Sequence, residues 1–280
     1  MSVIQICELF LNFADMKAAE IIQLMESMRD DAQRRILLRF FKTRKPTDYG
    51  YGDEFLGLKN PQTREIVKMA KGLPLEEVPE LLTCRWHEVR LCGFLILVDK
   101  FEALTKNRIA GLESSIRARD GILQMYLQYA DYANNWDLVD LSVTKILGRW
   151  LTLPTYLGCE ESDGCRPDPD ISFSYKTRVL DGLAMSDNLW RQRMSVVCTW
   201  MTSHEGDAWW AQHYCRMHLA HRHDLMHKAV GWMLREMGKG CGEEVLKEFL
   251  AEHIHEMSRT TLRYAIERLP DDERSYWMNL

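Results

Sequence analysis

Apolar residues recur along most of the chain with the three- to four-residue spacing of an amphipathic helix, and almost no segment alternates with the period of a strand. The spacing predicts helices over residues 3–13, 16–27, 30–43, 61–72, 75–83, 85–102, 117–130, 136–152, 174–185, 188–203, 207–219, 224–238, 243–254 and 259–268, with a short turn after Pro270. In the helix expected over 30–43, the predicted buried side consists of Ile36, Leu37, Phe40 and Phe41. The chain is therefore predicted to be all-α.

Two segments interrupt the helical pattern. Residues 46–60 read as a loop, and Asn60 followed by Pro61 predicts the start of the next helix, because proline fits the first helical turn. Residues 153–172 contain three prolines and two glycines and predict an irregular surface insertion. We expect one domain over residues 1–280, with the weakest pattern in residues 1–45.

A loose repeat of helical hairpins runs through the chain. Trp86, Trp136 and Trp190 each stand near a predicted helix start, about fifty residues apart. Trp232 follows after a shorter step. Helix pairs at such spacing are typical of an α-solenoid, in which each pair packs on its neighbours and the inner helices line a concave groove. A single irregular helical bundle is the alternative.

Composition narrows the class of protein. With 46 % hydrophobic and 28 % charged residues, the chain has the balance of a soluble protein. No apolar run approaches the roughly 18 residues that span a bilayer, and the first residues lack the basic start of a signal peptide. Eight cysteines without CxxC spacing fit reduced thiols. We therefore expect a cytoplasmic protein without membrane contact.

The formal net charge of −5 does not indicate a polyanion partner, so a nucleic-acid surface would have to be a local basic patch. One basic cluster lies in the N-terminal third and contains Arg34, Arg35, Arg39, Lys42, Arg44 and Lys45. Such a run is usually a solvated helix face, and a phosphate-binding surface is the other interpretation.

Residues 134–140 carry the most suggestive chemistry. Asn134 and Asn135 can cap a helix, and Trp136 and Asp140 then share one helical face. An indole beside a carboxylate on one face is unusual, although a core tryptophan with an aspartate at a solvated edge would explain it simply. Asp137 points to another face and is interpreted as a partner of the helix dipole.

Other motifs exclude reaction classes. His223 and His227 have the spacing of a zinc-protease helix, but aspartate replaces the required glutamate and a third ligand is absent, so helix-start histidines are the simpler interpretation. The chain has no GxxxxGK[ST], GxGxxG or GxSxG motif, which excludes nucleotide-binding loops and serine hydrolases of those types. We expect no metal and no cofactor.

Five short segments, taken in order, resemble the AlkD-like DNA alkylation-repair glycosylases, a family built from HEAT-like helical repeats. The segments are Phe55–Pro61, Trp136–Asp140, Asn188–Arg193, Lys228–Glu236 and Ser258–Arg263. The resemblance implies that Asp140 is the catalytic carboxylate and that Trp136 and Trp232 flank it. It also implies that Arg193 positions the DNA backbone near the lesion. Lys228, one turn before Trp232 on the same face, is the best further candidate for a DNA contact.

The implied reaction suits these residue types. Such enzymes release cationic N3- and N7-alkylated purines, 3-methyladenine and 7-methylguanine, from double-stranded DNA. A cationic base leaves without protonation, so one carboxylate that stabilises the positive charge developing on the deoxyribose is sufficient. Indole faces attract cations by roughly 0.5–2 kcal/mol. The resemblance thus implies a monofunctional glycosylase of base excision repair, which we expect to be a monomer. A non-catalytic DNA-structure binder and a protein-binding solenoid are the alternatives.

Overall fold

The apolar spacing predicted most of the helices that the protein forms. The computed structural model describes residues 16–159 and 167–280, so the helix expected over 3–13 and part of the expected insertion lie outside the described residues. Within that part of the chain the structure is all-α, with no strand and a single isolated bridge between Glu54 and Trp86. The same residues contain no helix that is both long and apolar enough to cross a membrane.

The described chain divides into two compact units. The first contains residues up to Ala103 together with Met125–Leu138, and the second contains Leu104–Gln124 and Val139–Leu280. The chain passes between the units three times, first after Ala103 and then within helices α6 (Glu113–Gln128) and α7 (Trp136–Ser142). A single domain with one concave groove therefore stays a prediction.

Helix α5 forms the core of the first unit. The helices of this unit before α6 are α1 (Ala18–Ser27), α2 (Asp31–Phe40), α3 (Asn60–Met69), α4 (Val78–Leu82) and α5 (His87–Ala103). Short 3₁₀ turns cover Ala70–Gly72, Leu75–Glu77 and Ala130–Tyr132. Helix α5 is buried on nearly all sides and packs against α3 and α4. Its uninterrupted apolar run explains this burial, since a helix that is hydrophobic all round belongs in a core.

Helix α2 differs from its prediction. It ends at Phe40 instead of residue 43, and none of its residues is buried. Ile36 and Phe40, expected in the core, are each 59 % exposed, whereas Phe41 is buried. Phe41 follows the helix end, where Lys42 adopts a left-handed conformation with φ 49°, and its ring stacks on Phe55 at 5.2 Å between ring centroids. Because the helix ends early, the Phe41 side chain lies in the core, whereas Ile36 and Phe40 remain exposed to solvent.

Helix α13 is the centre of the second unit. The helices of this unit after α7 are α8 (Arg149–Leu151), α9 (Pro169–Ala184), α10 (Leu189–Val197), α11 (Trp200–His204), α12 (Trp209–Met217), α13 (Asp224–Cys241), α14 (Glu243–His253), α15 (Arg259–Ala265) and α16 (Asp271–Asn279). A π-helical turn, Thr144–Gly148, precedes α8, and a 3₁₀ turn, Ile254–Glu256, follows α14. Helix α13 packs against α10, α11, α12, α14 and α15.

Two further boundaries differ from the predictions. Helix α9 starts at Pro169, inside the expected insertion, because the Asp168 side chain caps it by accepting from two backbone N–H groups and proline suits the first turn. The expected C-terminal turn is a helix of nine residues, α16. Three acidic residues in its first turn complement the helix dipole, and Trp277 anchors it in the core.

Candidate functional site

Asp140 is held by an arginine that bonds both of its carboxylate oxygens. Arg193 donates from Nε to Oδ1 at 2.9 Å and from Nη2 to Oδ2 at 2.8 Å, which is the paired geometry that a guanidinium and a carboxylate favour. The Asp140 side chain retains 15 % of its exposure, whereas that of Arg193 retains 6 %. The two residues therefore form a nearly buried ion pair whose acidic partner is reached by solvent.

Helix α10 delivers Arg193 into this pair. The Asn188 side chain caps the helix by accepting from the backbone N–H groups of Trp190 and Arg191, and Arg193 follows at the start of the second turn. Its remaining terminal nitrogen, Nη1, donates to the backbone carbonyl of Leu225 at 2.5 Å. Arg193 thus joins Asp140 of α7 to the first turn of α13. The observed partners of its guanidinium are Asp140 and the Leu225 carbonyl, and a contact between Arg193 and DNA stays a prediction.

Helix α13 also carries Lys228 and Trp232. Trp232 is half-buried, two turns after Leu225. The Nζ of Lys228 lies 2.7 Å from an oxygen of Asp224, with both side chains largely exposed. An exposed pair of this kind contributes little to stability, and a contact between Lys228 and DNA stays a prediction. The structure therefore places Asp140, Arg193, Lys228 and Trp232 in the second unit.

Trp136 belongs to the first unit. Its backbone N–H is capped by the Asn135 side chain at 2.9 Å, as the sequence predicted for the start of this helix. The indole is half-buried and lies against two phenylalanines, 5.5 Å from the Phe41 ring and 6.0 Å from the Phe40 ring between centroids. Trp136 and Asp140 stand one turn apart on α7. That Trp136 flanks the same nucleotide as Asp140 stays a prediction.

A buried histidine between two carboxylates fixes the start of α7. His87 Nδ1 lies 2.7 Å from Asp53 Oδ2, and Nε2 lies 3.0 Å from Asp137 Oδ2. Burial alone would lower the pKa of His87, but attraction and hydrogen bonding from Asp137 and Asp53 outweigh it and raise the pKa to about 10. An ionised carboxylate can only accept a hydrogen bond, so both ring nitrogens of His87 donate, which is the pattern of an imidazolium and agrees with the raised pKa. We name this group the histidine clasp, consisting of Asp53, His87 and Asp137.

Arg90 completes the charge balance of the clasp. Its Nη2 donates to Asp53 at 2.5 Å and to the Asn134 side chain at 3.0 Å. Its other donors bond the backbone carbonyls of Cys84, Arg85 and Tyr132. Two cations therefore balance two buried carboxylates. Burial would raise the pKa of Asp53, but the hydrogen bonds and charges of His87 and Arg90 outweigh burial and lower this pKa.

The clasp was missed in the sequence, where Asp137 was interpreted only as a dipole partner. Asp137 is indeed in the first turn of α7, but it is buried and bonds His87. His87 stands 50 positions before Asp137, and Asp53, which bonds His87, stands 84 positions before Asp137. No local pattern connects residues at such separations. An available signal was the group of His87, Glu88 and Arg90, which stands directly before the apolar run 91–98 of the same helix.

The two histidines with zinc-protease spacing have structural partners. His223 is the N-cap of α13 and accepts from the Leu225 N–H, as a helix-start histidine should. The ring of His227 bonds the carbonyl of His221. In residues 16–159 and 167–280, no group of three or more His, Cys, Asp or Glu side chains is arranged to hold a metal ion.

Comparison with known proteins identifies the family. The sequence profile described as "DNA alkylation repair enzyme" matches residues 21–158 and 170–269, which is most of the chain. The chain belongs to this family. The match is interrupted within the expected 153–172 insertion and covers both Asp140 and Trp232. The resemblance found in the sequence is thereby confirmed.

A solved structure agrees with the fold. It is described as "Predicted DNA alkylation repair enzyme from Enterococcus faecalis", and it superposes with a TM-score of 0.60 over 87 % of this chain and 97 % of that chain. The two sequences are 12 % identical, so this similarity concerns the fold. No curated protein matches the chain.

Proposed function

We propose that this protein is a monofunctional DNA glycosylase that hydrolyses the N-glycosidic bond of cationic N3- and N7-alkylated purines in double-stranded DNA. The observation that carries the proposal is the ion pair of Asp140 and Arg193, in a chain of the DNA alkylation repair enzyme family. The pair holds a charged carboxylate in one orientation at a position that solvent reaches.

The proposed reaction needs one anion and a water molecule. As the bond between the deoxyribose C1′ and the base nitrogen breaks, its electron pair neutralises the cationic base, and positive charge develops on the sugar. Asp140 stabilises that charge and accepts a hydrogen bond from a water molecule. The oxygen of this water forms the new bond to C1′, and its proton passes to the Asp140 carboxylate, which then returns it to solvent. Because the base leaves as a neutral molecule, no general acid is required. The products are the free alkylpurine and an abasic site.

Arg193 has a defined part in this scheme. The two parallel N–H donors of Arg193 fix the plane of the Asp140 carboxylate. A carboxylate that rotated freely would not stay directed at the sugar. The contact of Arg193 with the Leu225 carbonyl ties that plane to α13, the helix that carries Trp232. Trp232, and Trp136 one turn before Asp140, are the proposed indoles that attract the cationic nucleoside, and Lys228 is a proposed phosphate contact.

The test is the release of 3-methyladenine and 7-methylguanine from methylated duplex DNA. Wild type should release both, and Asp140→Asn should be slower by about 10²-fold or more, because the amide carries no charge to stabilise the sugar cation. Affinity for DNA should remain within a few fold, as measured by fluorescence anisotropy. Binding by wild type without release of either base would contradict the proposal and favour the non-catalytic DNA binder. Absence of DNA binding would favour a protein-binding role.

A further inference from the structure

A cavity of about 370 Å³ lies in the second unit, beside the start of α9. Residues 151–154 line part of it, residues between Pro167 and Lys176 line another part, and Trp210 of α12 also contributes. The family profile is interrupted between residues 158 and 170, so the cavity borders a segment in which this chain departs from the family pattern. Since sites for small molecules typically measure roughly 300–1,000 Å³, the cavity has the size of a ligand site.

Helix α9 supplies three different groups to the cavity wall. Ser172 and Lys176 stand one turn apart on the same face, and Phe173 lies beside Ser172. Together they provide a hydroxyl, an ammonium and an aromatic ring. We name this space the α9 cavity, and its defining residues are Ser172, Phe173, Lys176 and Trp210.

The Ser172 hydroxyl has an unused hydrogen-bonding capacity. The side chain is buried, with 7 % exposure, and its Oγ has no hydrogen-bond partner among residues 16–159 and 167–280. A buried hydroxyl without a partner is unfavourable, and such a group in a folded protein calls for a specific explanation. A ligand that accepts from Ser172 is one such explanation.

The Lys176 ammonium is nearly buried and only partly neutralised. Its Nζ donates to the backbone carbonyls of Leu151 at 3.0 Å and Leu153 at 2.8 Å and lies over the Trp150 ring, which leaves one of its three donors. Burial lowers the pKa of Lys176 to about 8, against the attraction of Asp120. Both oxygens of Asp120 accept hydrogen bonds from other groups. An anion in the cavity would therefore stabilise the charged lysine.

Two aromatic rings form an apolar wall of the same cavity. Trp210 is buried, whereas Phe173 is 45 % exposed, and their ring centroids lie 5.3 Å apart. Two exposed carboxylates, Asp168 and Asp207, also line the cavity, but each already accepts from backbone N–H groups. The cavity thus combines a polar end at Ser172 and Lys176 with an apolar wall.

We propose that the α9 cavity binds a small organic carboxylate with a flat apolar body. Its oxygens accept from Ser172 Oγ and Lys176 Nζ, and its body lies against Phe173 and Trp210. A carboxylate bonded to an ammonium and a hydroxyl makes charge-assisted hydrogen bonds, which are stronger than neutral ones. The defining residues of the cavity take no part in the proposed glycosylase reaction, so this inference is independent of that function.

Two other occupants suit the cavity less well. A water molecule would satisfy the Ser172 hydroxyl, but it fills only about 30 Å³ and brings no charge to Lys176. An organic cation would suit Asp168 and Asp207, but Lys176 would repel it. Both remain outcomes of the test.

The experiment is isothermal titration calorimetry of the full chain at pH 7 with 3-phenylpropanoate. Two further probes keep the ring and the chain but end in a neutral amide, 3-phenylpropanamide, or in a cation, 3-phenylpropylammonium. Wild type should bind the carboxylate with a Kd on the order of 1 mM or tighter and the amide at least about tenfold more weakly. Equal affinity for carboxylate and amide, a preference for the ammonium, or no saturable binding of the carboxylate would each overturn the proposal.

Ser172→Ala is the decisive variant, because it removes a hydroxyl that has no partner within the described residues. It should weaken binding of the carboxylate by roughly 10- to 100-fold, the usual effect of losing a hydrogen bond to a charged group. The urea midpoint of the free protein should stay unchanged or rise. The matched control is Ser174→Ala, an exposed serine of the same helix, which should keep the wild-type affinity. Wild-type affinity in Ser172→Ala, or a lowered urea midpoint, would contradict the proposal.

Phe173→Ala tests the apolar wall separately. Because the ring is 45 % exposed, the variant should fold, and it should weaken the carboxylate and the amide by the same factor. Lys176→Met should instead abolish the preference for the carboxylate over the amide. It also leaves two carbonyls without their donor, so Ser172→Ala decides the question if Lys176→Met does not fold. A preference for the carboxylate that persists in folded Lys176→Met would refute the assigned role of the ammonium.

Discussion

His87 Nε2 lies 3.0 Å from Asp137 Oδ2, and Asp137 immediately follows Trp136 in the first turn of α7. The residue proposed to perform catalysis, Asp140, comes one turn later on the same helix. The start of this helix is therefore held by buried charge as well as by apolar packing. A buried ion has lost its hydration and is stable only while its hydrogen-bond partners stay in place. The histidine clasp therefore tolerates few geometries, and it restricts the orientation of α7.

Replacing His87 with glutamine should destabilise the protein by about 3–5 kcal/mol near pH 6.5, because it removes the cation shared by two buried carboxylates. The folded-state pKa of about 10 lies above the reference value of 6.5, so the stabilisation is fully present below pH 6.5 and is lost as pH rises toward 10. The stability difference between wild type and variant should therefore narrow over that interval. Urea denaturation at several pH values measures it.

The matched control for that measurement is His255→Gln, which changes an exposed histidine. Its stability should follow the wild type at every pH. If the His87→Gln difference were constant from pH 6.5 to 10, His87 would not be the titrating group, and the clasp would be held by neutral hydrogen bonds.

The helices were predictable because their signal is local. The helix expected over 85–102 is found at His87–Ala103, and that expected over 243–254 is found at Glu243–His253. Helix α2 shows where this reasoning fails. Ile36 and Phe40 have core spacing but stay exposed, because spacing identifies an apolar face without saying what covers it. Only the turn at Lys42 decides that Phe41 is the residue that enters the core.

The site was predictable in part. Asp140 and Arg193 were chosen through family resemblance, and the structure joins them, although the contact expected for Arg193 was with DNA. No periodicity could have indicated that pair, which connects positions 53 residues apart. The histidine clasp was missed for the same reason. Long-range polar contacts depend on how the helices pack against one another. In a single sequence, that packing is indicated only by the spacing of apolar residues, which does not show which polar side chains will meet.

Arg193→Lys should slow excision of 7-methylguanine by roughly 10²-fold, because an ammonium cannot bond both oxygens of Asp140 in one plane. It should also cost about 1–3 kcal/mol of stability, since the Leu225 carbonyl loses its donor. Single-turnover kinetics and urea denaturation measure the two effects. The control is Arg191→Lys on the same helix, and equal excision rates for both variants would show that the bidentate pair has no part in the reaction.

Gly231→Ala should destabilise the protein, because helices α13 and α15 approach too closely at this point for a methyl group. An added Cβ would lie 2.4 Å from the Thr261 carbonyl oxygen and 2.5 Å from Tyr264 Cβ, so the helices must separate, at a cost of about 1–3 kcal/mol. Excision should fall as well, since Trp232 is the next residue.

Gly182→Ala in α9 is the matched control, because an added Cβ at Gly182 would meet no atom within 4 Å. That variant should gain about 0.5–1 kcal/mol from the lower backbone entropy of its unfolded chain. A urea midpoint for Gly231→Ala that equals or exceeds that of the wild type would show that this close approach of the two helices is absent in solution.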